Sequence, residues 1–392
     1  MTAPEPSPYL FNLFRRQPVL FVKGEGAYLW DADGKRYLDF FCGLAVTGLG
    51  HAHPAVAAAT AEQARTLVHV SNLFYTQPQM DLAKELVRRT FPSKAFFSNS
   101  GAEANECALK LARRHGHLTG GRHEVIVFDQ AFHGRTIATL SATPQKKYQQ
   151  GYGPLLEGFP AAPFGDLAAA GKLVGPKTCA ILVEPVQGEG GVNITSAGFF
   201  AGLRELCKKH NLLLMFDEIQ TGVGRTGSLF AFQRIGVEPD VLSIAKGLAN
   251  GLPIGATLAR PEVADLLKPG DHASTFGGGP VVCRAALEVL KALDAAQLDR
   301  IRDLGKEFLS EISSWKSEIP AIKIVRGLGL LVGIELDRPG VSVVDFCREN
   351  GLLVNCTAEK VVRLLPPFIL TDAQVAEGLA ILKKALKGLS PS

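Results

Sequence analysis

The sequence predicts an α/β fold: a large domain around a mostly parallel sheet, joined to a smaller α+β domain. Three observations carry this. Six short apolar runs lie between 94 and 259, segments of helical period separate them, and several runs end on a polar residue with glycines close by. Apolar strands spaced by crossover helices mark a parallel sheet covered on both faces. In such sheets ligands sit outside the carboxyl ends of the strands, so strand ends are where chemistry is to be sought.

In chain order, Val22–Tyr37 alternates and contains an Asp33-Gly34 turn, which predicts a hairpin. Strands are expected at Lys94–Ser98, Glu124–Asp129, Cys179–Pro185, Leu212–Glu218, Val241–Ala245 and Ile254–Ala259, with helices such as Glu103–Arg114 and Phe199–His210 between them. Beyond about Gly279 the chain turns helical, then strand-like around Gly329–Leu336 and Lys360–Leu364, and ends in a helix. The expected division is 1–49, contributing to the small domain, 50–280 as the large domain, and 281–392 as the rest of the small α+β domain.

The 392 residues are 46% hydrophobic, and 42 Lys+Arg against 38 Asp+Glu leave a net charge of only +4. A nucleic-acid partner would call for a concentrated basic surplus. No apolar run approaches the roughly 18–20 residues of a membrane span, and Met1–Pro8 lacks the basic flank and apolar stretch of a signal peptide. Seven cysteines, an odd number with no C-x-x-C pair, read as reduced and mostly buried thiols. The class expected is a soluble cytoplasmic enzyme.

Several strand ends carry candidate chemistry. In Ser98–Glu106 (SNSGAEANE), Ser100 and Glu103 have capping-box spacing, and Gly101 lets backbone approach a ligand. A helix N-terminus of this kind attracts phosphate, or is simply an ordinary cap. Asp217 ends the apolar run 212–216, and a buried carboxylate there needs a cation, a proton donor or a structural ion pair. Lys246 closes another buried run; desolvation would make it an amine nucleophile toward a carbonyl, unless only its stem is buried. Phe132, His133 and Arg135 follow a third strand, in a turn that either packs the Phe or faces a ligand. Ser274–Pro280 (STFGGGP) offers hydroxyls and glycines to a phosphate. Arg363, alone in an apolar strand, suits a carboxylate ligand or an ion pair between elements. Gly222, Gly224 and Gly227 spell a dinucleotide fingerprint, but Asp217–Thr221 intervene after the strand and no helix of good period opens at Gly227, so a turn-rich loop is expected. His51 and His53 lack a third ligand at a recognisable spacing, and no metal is assigned.

One cofactor satisfies a lysine, a buried Asp and a helix N-terminus together: pyridoxal phosphate, with its aldehyde, pyridine nitrogen and phosphate. The sequence moreover resembles the class III pyridoxal-phosphate aminotransferases, and among them the acetylornithine aminotransferases of arginine biosynthesis. The resemblance runs from about Tyr28 to Leu365. It rests on Gly48–Pro54 (GLGHAHP), Ser71–Tyr75 (SNLFY), Asn99–Glu106, Phe132–Thr136 (FHGRT), Val183–Gly191 (VEPVQGEGG), Phe216–Gly227, Ala245–Gly247 and Thr275–Gly278.

The resemblance implies a fold type I homodimer, located in the cytoplasm, with shared active sites. Lys246 would hold the cofactor and shuttle a proton, and Asp217 would keep the pyridine nitrogen protonated. Phe132 would stack on the ring, with Gln220 near its phenolic oxygen. Ser100, Gly101, Ala102 and Thr275 of the partner subunit would hold the phosphate. Arg135, with Ser274 nearby, would bind the substrate's distal carboxylate. Arg363 would receive the α-carboxylate of glutamate, with Glu189 pairing to it when an amine substrate is bound. The implied reaction passes the δ-amine of N-acetylornithine to 2-oxoglutarate; succinylornithine, ornithine, carrier-linked lysine intermediates and 4-aminobutyrate are the competing amines. Ala102 stands where many members have Thr, and Gly279 where Asn is common. A nucleotide-binding protein built on Gly222–Gly227, or a cofactor-binding regulator, is the contrasting reading.

Overall fold

Fifteen strands are described in the computed structural model, which covers residues 7–389. Residues 1–6, on which the absence of a signal peptide was largely read, and 390–392 lie outside the described residues. The strands are β1 (Phe21–Glu25), β2 (Tyr28–Asp31), β3 (Arg36–Asp39), β4 (Lys94–Ser98), β5 (Glu124–Phe128), β6 (Ala161–Ala162), β7 (Thr178–Val183), β8 (Leu213–Asp217), β9 (Val241–Ile244), β10 (Gly255–Ala259), β11 (Ile322–Leu328), β12 (Leu331–Leu336), β13 (Leu352–Leu353), β14 (Asn355–Thr357) and β15 (Val361–Leu364).

All six expected apolar runs are strands of one seven-stranded sheet, ordered β4-β10-β9-β8-β7-β5-β6. β5, β6, β7, β8 and β9 pair in parallel, while β10 runs antiparallel to both of its neighbours. Alternate residues of these strands enter different apolar cores. Ile181, Val183, Leu214 and Phe216 join one, with Phe199, Phe200 and Leu203 of the helix Ala197–His210. Ala180, Leu182, Leu213 and Met215 join the other, with Ala108, Leu111 and Ala112 of the helix Gly101–Leu118. Near-continuous apolarity is therefore required, because both faces are covered. Six of the seven cysteines are buried.

The stretch read as one hairpin is a three-stranded meander. Gly26, at φ +57°, provides a second reversal between β1 and β2, an easy conformation only for glycine. β3 then pairs in parallel with β13, so the sheet β1-β2-β3-β13 joins the two ends of the chain. Glu377 of the last helix, Asp372–Lys387, accepts hydrogen bonds from the Tyr28 hydroxyl (2.8 Å) and Arg36 (3.2 Å). A third sheet, β11-β12-β15-β14, is antiparallel and sets Arg363 opposite Gly333 and Asn355. Residues 218–230 form consecutive turns, and a short helix begins only at Ala231. No described helix is long and apolar enough to cross a membrane.

Candidate active site

Five strands deliver side chains to one edge. β4, β5, β7, β8 and β9 end respectively before Asn99–Ala102, Phe132–Arg135, Glu184, at Asp217, and before Lys246. These segments line a cavity of about 370 Å³, within the ordinary range for a small-molecule site. Asp217 is in register with Ser243 of β9, and Lys246 follows three residues later, so the two functional groups leave adjacent parallel strands. Lys246 has φ +43°, a left-handed conformation that a non-glycine residue adopts at a cost of about 1–3 kcal/mol.

Asp217 is 3% exposed. Its Oδ2 accepts from Asn105 Nδ2 (2.7 Å) and lies 2.7 Å from His133 Nδ1, while its Oδ1 accepts from the Ile219 amide (3.0 Å). Among the described residues no lysine or arginine pairs with it, so the structural ion pair left open by the sequence is not formed with either. Asn105 also donates to the His133 carbonyl (2.8 Å), and the His133 amide donates to Thr143 Oγ1 (2.9 Å). The carboxylate is thereby fixed by an amide side chain, an imidazole and a backbone amide in a low-dielectric setting.

Lys246 is half-buried and makes no hydrogen bond or ion pair among the described residues. Burial lowers its pKa and Arg363 adds to this, against the opposing pull of Glu189, Asp217 and Glu184. A lowered ammonium pKa frees the lone pair for attack on a carbonyl. Glu184, which follows β7, accepts from the Phe132 amide (3.2 Å), and burial followed by the charge of Asp217 raises its pKa well above the ordinary carboxyl value.

At the opposite wall Ser100 caps the helix Gly101–Leu118, its Oγ accepting from the Glu103 amide (3.2 Å). The box departs from the expected form: Glu103 reaches back to the Asn99 amide (2.7 Å) rather than to that of Ser100. The Ser100 hydroxyl faces the Glu103 carboxylate (3.2 Å), which leaves the Gly101 and Ala102 amides as the open donors of the first turn. A side chain at Gly101 would come within 2.8 Å of Ile219, and one at Gly255 would collide with the Ser100 carbonyl. Glycine is therefore needed at both places.

Arg363 is fully buried; its Nη1 donates to Glu189 Oε1 (2.8 Å) and Gln220 Oε1 (3.0 Å), its Nε donates to Asn355 (3.2 Å), and its Nη2 has no partner. Burial pushes the Glu189 pKa up, but Arg363 and Lys246 more than offset this and hold it below the ordinary value. Of the two readings of Arg363, the ion pair between elements is present, and the guanidinium Nη2 is buried without a partner among the described residues.

The structure brings Ser100, Gly101, Ala102, Phe132, Arg135, Glu189, Asp217, Gln220 and Lys246 to the cavity, with Arg363 behind Glu189 and Gln220. It does not bring Ser274 or Thr275 there within one chain. Ser274 accepts from Asn99 Nδ2 (3.2 Å), and Thr275 lies with Phe276 against residues 69–79. Asn105 and Glu184 were missed by the sequence reading, and His133 was noted without its role. The one available signal was position: Asn105 lies one turn into the capped helix, and His133 and Glu184 follow strands. Pyridoxal phosphate fits this donor set, since one cavity holds a lysine amine, a buried carboxylate with no lysine or arginine partner among the described residues and a helix N-terminus with open amides.

The family Aminotransferase class-III matches residues 14–386. The chain is 44% identical to an acetylornithine aminotransferase of Methanothermobacter thermautotrophicus, over 97% of each chain. It is 50% identical to that of Myxococcus xanthus, over 93% of this chain and 92% of the relative. Its fold is similar to an ornithine aminotransferase of Toxoplasma gondii whose active site holds pyridoxal phosphate at partial occupancy (TM-score 0.94, 36% identity, 97% and 92% of the two chains). It is also similar to an acetylornithine aminotransferase of Elizabethkingia anophelis (TM-score 0.86, 34% identity, 96% of both). With a lysine and an aspartate closing neighbouring strands over one cavity, and a match along nearly its whole length, the chain belongs to the class-III aminotransferases.

Proposed function

We propose that this chain transfers the δ-amino group of N2-acetyl-L-ornithine to 2-oxoglutarate, giving N-acetyl-L-glutamate 5-semialdehyde and L-glutamate in arginine biosynthesis, with pyridoxal phosphate as cofactor. The observation that carries it is the juxtaposition of Lys246 and Asp217 over a cavity also lined by Glu189, which is paired with Arg363 behind it. The names of its relatives support the acylated substrate.

When bound, the cofactor supplies an aldehyde to condense with primary amines and a ring that draws electrons from the adjacent C–H bond. Lys246, whose amine pKa is lowered by burial, would hold the cofactor at its aldehyde and, when the substrate amine takes that place, would carry the proton from the substrate carbon. Asp217, fixed by His133 and Asn105, would keep a proton on the pyridine nitrogen. Phe132 would stack on the ring, with Gln220 near its phenolic oxygen. The amides of Gly101 and Ala102, with Ser100, would hold the phosphate. Arg135 takes the distal carboxylate, with Ser274, bonded to the cavity residue Asn99, nearby. Glu189 neutralises Arg363 while the amine substrate is present and releases it to the α-carboxylate of glutamate or 2-oxoglutarate. One site thereby serves both half-reactions.

Thr275 belongs, on this reading, to the site of a partner subunit. A homodimer is supported by exposed Leu73, Phe74, Tyr75 and Phe276 on the segments beside Thr275, an apolar surface of the kind that marks an interface. The resemblance to class III enzymes supports a cytoplasmic location. The division at 1–49, 50–280 and 281–392 is supported by sheet membership, since β1–β3 pair with β13 and not with the central sheet.

The test is kcat/KM with 2-oxoglutarate for N-acetylornithine, succinylornithine, ornithine and 4-aminobutyrate. N-acetylornithine is expected to lead. A higher value for an unacylated amine would overturn the substrate, and no turnover of any of them after loading with pyridoxal phosphate would overturn the reaction.

A further inference from the structure

We propose that Tyr148 is a specificity-determining positioning residue: its ring presents the Arg135 guanidinium to the cavity, and so selects amines and acceptors that carry a distal carboxylate. The inference rests on the role given to Arg135 above. Arg135 is exposed and has no hydrogen-bond or ion-pair partner among the described residues. A free arginine at a surface would sample many rotamers, and ordering it on binding costs affinity. Here its guanidinium carbon lies 4.1 Å from the Tyr148 ring centroid and 5.2 Å from that of Phe132. The two rings meet edge to face at 5.7 Å and 81°. Stacking fixes the plane of the guanidinium while leaving its N–H edge open for a bidentate carboxylate.

The ring is itself anchored to the segment it serves. Tyr148 lies on the short helix Lys146–Gln149. Just before it, Gln145 Nε2 donates to the carbonyls of Gln130 (3.0 Å) and Ala131 (2.9 Å), immediately ahead of Phe132. Just after it, Gln149 Nε2 donates to the carbonyls of Leu140 (3.2 Å) and Thr143 (2.9 Å). Lys147 Nζ also approaches the ring, at 4.8 Å, and adds positive charge to the same corner. Tyr148 is not among the residues lining the cavity, so it acts through Arg135.

The experiment compares wild type, Tyr148→Phe and Tyr148→Leu as cofactor-loaded enzymes, using N-acetylornithine and its decarboxylated analogue N-acetylputrescine as amines. The dissociation constant of the dicarboxylate glutarate, measured calorimetrically, gives a readout independent of turnover. Tyr148→Leu is expected to raise KM for N-acetylornithine and the glutarate constant about fivefold, the scale of one partly exposed cation–ring contact. N-acetylputrescine turnover and cofactor affinity stay unchanged. Tyr148→Phe, which keeps the ring, stays within about twofold of wild type. Should Tyr148→Leu not fold, Tyr148→Met provides the same comparison. Equal losses with both amines, or no loss in glutarate binding, would overturn the inference. A wild-type enzyme inactive toward N-acetylornithine would instead overturn the proposed reaction.

Discussion

Replacing Glu189 with Gln isolates the charge in the Arg363 pair. The substitution keeps the size of the side chain and an acceptor oxygen toward Arg363 Nη1, now 2.8 Å from the carboxylate. Despite its burial Glu189 is held below the ordinary carboxyl pKa by Arg363 and Lys246, so at neutral pH the change removes a full negative charge. Arg363 keeps a hydrogen bond to a neutral acceptor but loses the attraction of a close charge pair, about 1.5 kcal/mol at the lower end. The competitor of the glutamate carboxylate for Arg363 is then weaker by roughly tenfold in binding. The half-reaction with glutamate should gain about that factor in kcat/KM, and the half-reaction with N-acetylornithine should lose, because Arg363 stays positive beside the substrate amine. Single-turnover measurements, each following the cofactor's visible absorbance with one substrate, give the two values separately. An unchanged ratio, or equal loss in both halves, would refute the switch.

Lys246→Ala should lower turnover by at least about 10²–10⁴-fold, the contribution of a positioned proton-transfer group, and should abolish the visible absorbance of covalently held cofactor. His133→Phe removes the partner 2.7 Å from Asp217 Oδ2 and should weaken cofactor binding about tenfold or more, read by equilibrium dialysis. Glu218 accepts from the amides of Ala231 (2.7 Å) and Phe232 (2.8 Å), and burial raises its pKa from an ordinary 4.5 to about 7. Its protonated form is therefore favoured in the folded chain, and its contribution to stability, full below about pH 4.5, is lost as pH rises through about 7. Glu218→Gln should remove that dependence, changing the difference in unfolding free energy from wild type by up to about 3 kcal/mol across this range, as measured by denaturant titration at several pH values.

The parallel sheet was legible because strands buried on both faces must be nearly continuously apolar, as Cys179–Val183 and Leu213–Phe216 are. Lys246 and Asp217 stood out for the same reason: a charge ending such a run needs a partner, a ligand or a way out to solvent. The second reversal at Gly26 was not, since a lone glycine in an alternating segment does not announce its φ. Nor was the antiparallel course of β10, because direction depends on the path of the connection and not on the five residues Gly255–Ala259. Asn105 and Glu184 escaped because their meaning is pairwise. Asn105 looks like an ordinary helical polar residue until the fold sets it against Asp217, 112 positions away. Glu184 is unremarkable in sequence until it is enclosed beside Asp217 with only a backbone amide, that of Phe132, as its donor.

The pairing of β3 with β13 has a consequence for synthesis on the ribosome. Lys35, just before β3, bonds the Glu349 carbonyl, 314 positions later, just before β13. At roughly 5–20 residues per second that interval lasts about 15–60 s. Throughout it the first-made strands have an open edge, while every strand of the central sheet emerges and can pair. The earliest part of the chain is thus among the last to be completed, and its unpaired edge is where a nascent molecule is most exposed to association with its neighbours.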